Sequence, residues 1–121
     1  MKLIPKVHHD HISRSLNAIT MILEYLRQYC FNPTTEHNIL KIRKFSRYLI
    51  TLEQCNQEDV VNAIQEAELK IINDLINHSS GMNCIELSLC LLKSQFSNTR
   101  KNAELLMESA LSKQVRSNGE I

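Results

Sequence analysis

Apolar residues return at steps of three and four along almost the whole of this chain, and few residues interrupt them. Ile12, Leu16, Ile19, Leu23, Leu26 and Cys30 form one series, and Ile39, Ile42, Phe45, Leu49 and Leu52 form a second. Val60, Ile64, Ala67, Ile71, Leu75 and Ile76 form a third. Ile85, Leu89, Leu92, Phe96, Ala103, Leu106 and Ala110 form a fourth. On a helix each series falls on one stripe. Gly and Pro occur only twice each, whereas an all-β chain needs turn residues every ~8–12 positions. The pattern predicts an all-α fold, an antiparallel bundle of about four helices. One domain over 1–113 is expected, with a frayed tail over 114–121.

Aromatic residues make up 5% of the chain and Trp is absent, so the core must be built of Leu and Ile. The net charge of +1 demands no polyanionic partner, and no apolar run is long enough for a signal peptide or a membrane span. Cys30, Cys55, Cys84 and Cys90 show no CxxC pairing. Free thiols and a cytoplasmic location are therefore expected. No internal repeat is evident.

Local signals set the expected boundaries. Asn32-Pro33 stops the first helix near residue 30, since proline disfavours α geometry in the residue before it. Thr34 or Thr35 can cap the second helix. A break falls near Glu53–Asn56 without Gly or Pro, so the second and third helices could be partly continuous. Asn56 with Asp59, and Asn83 with Glu86, resemble capping boxes for the third and fourth helices. Gly81 suits the exit from the third. Ser97-Asn98-Thr99 is a weak spot within the fourth, which is expected to reach about residue 112.

Charge is sorted by helix. Lys41, Arg43, Lys44 and Arg47 make the second helix basic; Glu58, Asp59, Glu66, Glu68 and Asp74 make the third acidic. Mutual complementarity of neighbouring faces is the plain expectation. The functional alternative is a patch for an acidic partner, with those four basic residues as the contact set. Without interleaved aromatics, nucleic acid is not the expected ligand. Met21, Leu40, Leu87, Leu91 and Leu105 lie off the stripes, so at least one helix is expected to be apolar on two sides, as in a self-associating bundle or homodimer.

Three imidazoles and a carboxylate open the first helix in His8-His9-Asp10-His11. Neutral imidazole is a common metal ligand. This run, with Arg14, Leu16, Ile19 and Leu23-Glu24-Tyr25-Leu26, resembles the opening helix of hemerythrin-like (HHE cation-binding) domains. Gln54-Cys55-Asn56-Gln57-Glu58-Asp59 and Ala103 to Leu111 echo later parts of that family. The resemblance implies a four-helix bundle holding two non-haem irons, with His11 as a ligand. Glu58, His78 and Glu104 are the other candidate donors. Both His-x-x-x-Glu pairs of the family are missing: Gln54 stands at one histidine position and Arg100 at the other. His9-Asp10 followed by Leu16-Asn17-Ala18-Ile19 also resembles the phosphoacceptor helix of sensor kinases, out of register.

No Gly-rich phosphate loop or spaced catalytic triad is present. The leading expectation is therefore a non-enzymatic interaction or regulatory module with no cofactor, acting through a protein partner or self-association. An iron-binding hemerythrin-like sensor or carrier is the alternative, and histidine phosphotransfer the third.

Overall fold

A computed structural model describes residues 6–77 and 81–119, with side-chain surroundings for 11–77 and 81–113. The described residues form five helices: α1 (Lys6–Phe31), α2 (Glu36–Leu52), α3 (Glu58–Ile76), α4 (Met82–Leu91) and α5 (Ser97–Gly119). The all-α class is as the spacing predicts. The count differs because the expected fourth helix is two. The chain turns at 92–96, just ahead of the weak spot Ser97-Asn98-Thr99. There Ser94 Oγ accepts from the Phe96 N–H at 3.0 Å, offering the backbone a partner outside the helix ladder. The backbone of α5 is helical to Gly119, into the stretch assigned to a tail.

The expected caps are met only in part. Thr35 does cap α2, its hydroxyl accepting from the Asn38 N–H at 3.1 Å. Asn56 does not cap α3; Gln57 occupies that position, without a side-chain bond. Gly81, at φ 89°, leads into α4, which begins at Met82 and so places Asn83 inside the helix. Asn83 is buried, and its Nδ2 lies 3.3 Å from Tyr29 O, 3.1 Å from Cys30 O and 2.8 Å from Asn32 O. It therefore ties the start of α4 to the carbonyls that end α1, which no helical partner can satisfy.

The helices lie in two layers. α1 packs on α2 and α3, α2 on α4, and α5 on both α3 and α4. Tyr25 and Tyr29 of α1 stack on Phe45 while Tyr29 also meets His37, so α1 and α2 run antiparallel. Arg27 Nε donates to Asp74 Oδ2 at 2.9 Å, and Leu16 and Leu23 share a groove with Ala63 and Lys70, so α1 and α3 run parallel. Arg43 meets Glu86, and Arg47 and Ile50 line one groove with Cys90 and Lys93, so α2 and α4 are parallel too. α1, α3 and α5 make one layer; α2 and α4 make the other.

The turns after α2 and α4 share one backbone hydrogen-bond pattern. After α2, Glu53, Gln54 and Cys55 donate to Leu49, Thr51 and Leu52; after α4, Leu92, Lys93 and Ser94 donate to Ser88, Cys90 and Leu91. The next helices open with Val61 N to Gln57 O and Arg100 N to Phe96 O. Each bond of the first set recurs 39 residues later. Between 45–75 and the stretch 39 residues on, Leu52 and Leu91 are the one identical pair. The five helices thus stack in two layers, with the same backbone bonding at the α2–α3 and α4–α5 turns.

The core is aliphatic, as composition requires: Leu26, Ile42, Leu49, Ile64, Ile71, Ile72, Leu75, Leu87, Leu91 and Leu106 are among its fully buried side chains. Helix α4 turns a different face inward from the one its spacing indicates. Leu87 and Leu91, expected off the stripe, are fully buried, whereas Leu89 is 49% exposed. Seven of the ten residues of α4 are Met, Cys, Ile or Leu, so periodicity does not choose its face. Packing on α2, α5 and the end of α1 does.

Two stability measurements check this arrangement. Ile64→Asp, placing a charge at a fully buried site, lowers the urea unfolding free energy by roughly 3–5 kcal/mol, while Leu92→Asp, at a half-buried turn position, costs clearly less. Asn83→Ala strips partners from the carbonyls ending α1 and lowers stability by about 1–3 kcal/mol in the same assay.

Candidate functional site

Helix α2 commits one side to the core through Ile42, Ser46 and Leu49 and leaves the other to solvent. Arg43, Lys44 and Arg47 are exposed there; Lys41 is half-buried on the α1 side. The expected neighbour for these cations, acidic α3, lies in the other layer, and among the described residues no ion pair joins α2 to α3. Asp74 of α3 pairs with Arg27 of α1, and Arg43 pairs with Glu86 of α4. The expectation of mutual neutralisation is thus corrected: a two-layer stack sets second helix against fourth.

A groove of about 390 Å3 runs between α2 and α4. Arg43, Arg47 and Lys93 line it with Glu86, and Ile50, Leu89 and Cys90 supply its apolar part. Leu40, Lys44 and Tyr48 continue the surface across the outer side of α2. Leu40 is 52% exposed, and burial pushes the Cys90 thiol up, away from the thiolate a nucleophile needs.

The opposite flank of α2 is aromatic. Tyr25 and Phe45 stack with centroids 4.8 Å apart, Tyr29 stacks on Phe45 at 6.1 Å, and Tyr48 meets Phe45 edge-on at 5.8 Å. The Lys44 ammonium lies 6.0 Å from the Phe45 centroid, within cation–π reach. All three tyrosines and one of three phenylalanines of the chain therefore gather beside Lys44. Linear sequence shows basic residues without aromatics between them; the α1–α2 hairpin interleaves the two in space. Met21 and Tyr25 are exposed on the same hairpin, and Met21, Leu40 and Leu105 are the expected off-stripe residues that do face solvent.

The iron-donor set is not brought together. His11, Glu58 and Glu104 are each exposed and stand on three different helices, while His78 lies outside the described residues. So do the side chains of His8, His9 and Asp10. Among the described residues no three of His, Cys, Asp and Glu gather in a way that could hold a metal ion. Glu86, expected in a capping box, faces Arg43 instead.

A second cluster lies where the two 39-residue-related turns meet. Glu53, at 2% exposure, takes the Gln95 N–H on Oε1 at 2.8 Å and the Ser94 hydroxyl on Oε2 at 2.7 Å. Gln95 Nε2 donates to Glu53 O at 2.7 Å. Glu68 of α3, fully buried, lies with Oε1 3.2 Å from the same Ser94 Oγ. Arg100 Nη1 donates to Ser94 O at 2.8 Å. Linear reading passes over this pair, although a signal exists: Glu68 falls four residues after Ile64 and three before Ile71, on the buried stripe.

No family model, curated protein or solved structure matches this chain. No helix among the described residues is long and apolar enough to cross a membrane.

The Arg43–Glu86 pair is a modest contributor, because the Arg43 side chain is 53% exposed. Glu86→Gln shifts the urea midpoint by the equivalent of less than about 1 kcal/mol, while raising the positive charge of the groove.

Proposed function

We propose that this chain is a non-enzymatic interaction module, whose helix-pair stack presents the outer side of α2 and the α2–α4 groove to an acidic, amphipathic segment of a partner protein. The observation that carries this reading is the pairing of opposites on one surface. Arg43, Lys44, Arg47 and Lys93 surround Ile50, Leu89 and Leu40, and Glu86 is the single acid lining the groove. Apolar side chains of the partner gain by leaving water there, and its carboxylates meet cations of which, among the described residues, only Arg43 has an acidic partner. Stacked helix pairs commonly offer such extended faces for binding. The surrounding charges steer encounter and set register, and the apolar contacts supply the larger share of affinity.

The iron-carrier and phosphotransfer readings have no comparable gathering of groups to support them among the described residues, and docking of a peptide on this face requires no bound cofactor. Nucleic acid competes for the same cations and the Tyr25–Phe45–Tyr48 cluster, but a chain of net charge +1 offers little counterion release over its whole surface.

Fluorescence anisotropy with a labelled synthetic peptide tests the reading. The peptide carries Leu or Phe at helical spacing and Glu elsewhere. It binds with an affinity that falls as ionic strength rises past ~0.1 M. The double variant Lys44→Glu, Arg47→Glu keeps the helical circular dichroism and weakens binding at least about tenfold. Equal binding of a peptide with Lys in place of Glu, or no loss in the double variant, overturns it. Tighter binding of single-stranded RNA than of the acidic peptide assigns the face to nucleic acid instead.

A further inference from the structure

The joint between the two turns holds more acceptors than donors. Glu53 and Glu68 bring four carboxyl oxygens into the interior. One is met by the Gln95 N–H. Ser94 Oγ stands 2.7 Å from Glu53 Oε2 and 3.2 Å from Glu68 Oε1, but it has one hydrogen and cannot serve both. The Phe96 N–H occupies Ser94 Oγ as an acceptor and brings the carboxyls nothing. Glu68 Oε2 and Thr99 Oγ1, both in fully buried residues, lack a partner at full hydrogen-bond geometry, although the Thr99 hydroxyl and the Glu53 carboxyl adjoin Glu68.

Among the described residues, the neighbouring elements bring no cation to the carboxyls. Arg100 of α5 is turned to the Ser94 carbonyl. From α1, the groups along α3 are Leu16, Ile19, Thr20 and Leu23, with Arg27 bound to Asp74 far from the joint. Two ionised carboxylates out of water, with no counter-charge, are costly.

We propose that Glu53 and Glu68 hold one proton between them, and that this carboxylic acid–carboxylate pair latches the turn between α2 and α3 to the turn between α4 and α5. The extra hydrogen supplies the missing donor, and the pair keeps a single negative charge, on which Glu53 receives Ser94 and Gln95. When pH rises, hydroxide takes the proton from the pair and forms water. Two carboxylates then face each other in the joint, and the turns separate.

Burial, and after it the hydrogen bond and charge of Glu53, push Glu68 up to about 9 from the ordinary 4.5. The folded state therefore holds this proton more tightly than the unfolded chain does. Its contribution to stability is complete below about 4.5 and is lost as pH rises toward about 9.

Thermal unfolding across pH 6 to 9.5 in chelator-treated buffer, for the native sequence and for Glu68→Gln, tests the latch. The amide that replaces the Glu68 carboxyl keeps a hydrogen to donate and cannot titrate. The native midpoint should fall steeply toward alkaline pH, and the variant's should fall much less, crossing above the native one. Equal slopes overturn the proposal. So does a native midpoint at pH 8 that rises on adding Mg2+ or Ca2+ and loses that rise in Glu68→Gln, which makes the occupant a metal cation. Should Glu68→Gln fail to fold, carbon-13 NMR of the native protein decides: one glutamate carboxyl titrating well above pH 7 upholds the latch, and every carboxyl titrating below pH 6 overturns it.

Discussion

Glu53 ends α2 with its carboxyl turned inward, and the rest of the architecture depends on what that carboxyl holds. By taking the Ser94 hydroxyl and the Gln95 N–H it locks the second hairpin turn against the first. Two turns locked in this way fix how far one helix pair is displaced from the next. They set α2 beside α4 and α3 beside α5, in parallel, although each helix runs antiparallel to its neighbours in the chain. Apolar burial drives the helices together but is indifferent to sliding by a turn. Directional bonds from a buried carboxyl are not, since a shift of a few ångströms leaves an uncompensated charge in the interior. Asn83 does the corresponding work at the other end of the stack, where it binds the last carbonyls of α1.

The same displacement makes the surface that the proposed function uses. Had α2 packed face to face with α3, its arginines and lysines would have met Glu58, Asp59 and Glu66. Because α3 occupies the other layer, Glu66 lines a groove with α1 instead, and Arg47 and Lys44 remain beside Leu40, Tyr48 and Leu89. Among the described residues, the charge of α2 is therefore left largely unneutralised by topology and not by composition, which is nearly balanced. The aromatic cluster has a similar origin. Tyr25 and Tyr29 are a turn apart on α1, Phe45 and Tyr48 a turn apart on α2, and the hairpin lays one pair over the other.

Polar groups in the interior divide by use. Asn83 through its Nδ2, and Glu53 through both carboxyl oxygens, meet backbone and hydroxyl partners and act as fasteners. Glu68 stands apart as an acid set on an apolar stripe with incomplete partners, and its neutral form is the one the interior favours. The cysteines carry no such tension: Cys30 and Cys84 are buried as small core residues, no disulfide joins any of the four, and burial pushes the Cys30 and Cys90 thiols up.

Much of this was legible in the order of residues alone. Helix follows from the three-four spacing with so little Gly and Pro. The aliphatic core follows from the scarcity of aromatics, and the entry to α2 from the threonines at 34 and 35, of which the structure uses Thr35. The cations of α2 could be named, because exposure on an amphipathic helix is a local property. What local pattern does not contain is which helix meets which. The inward face of α4 was misassigned, with Leu89 in place of Leu87 and Leu91, because nearly every side of it is apolar, and the likeness of the two turns was hidden because only backbone bonds recur. Glu86 beside Arg43, the α1 carbonyls beside Asn83, and Ser94 beside Glu53 and Glu68 lie 26 to 54 residues from them. Only the packed layers could assign them, because a hydrogen bond or a buried charge is satisfied by proximity in space, and sequence records proximity only within a few turns of one helix.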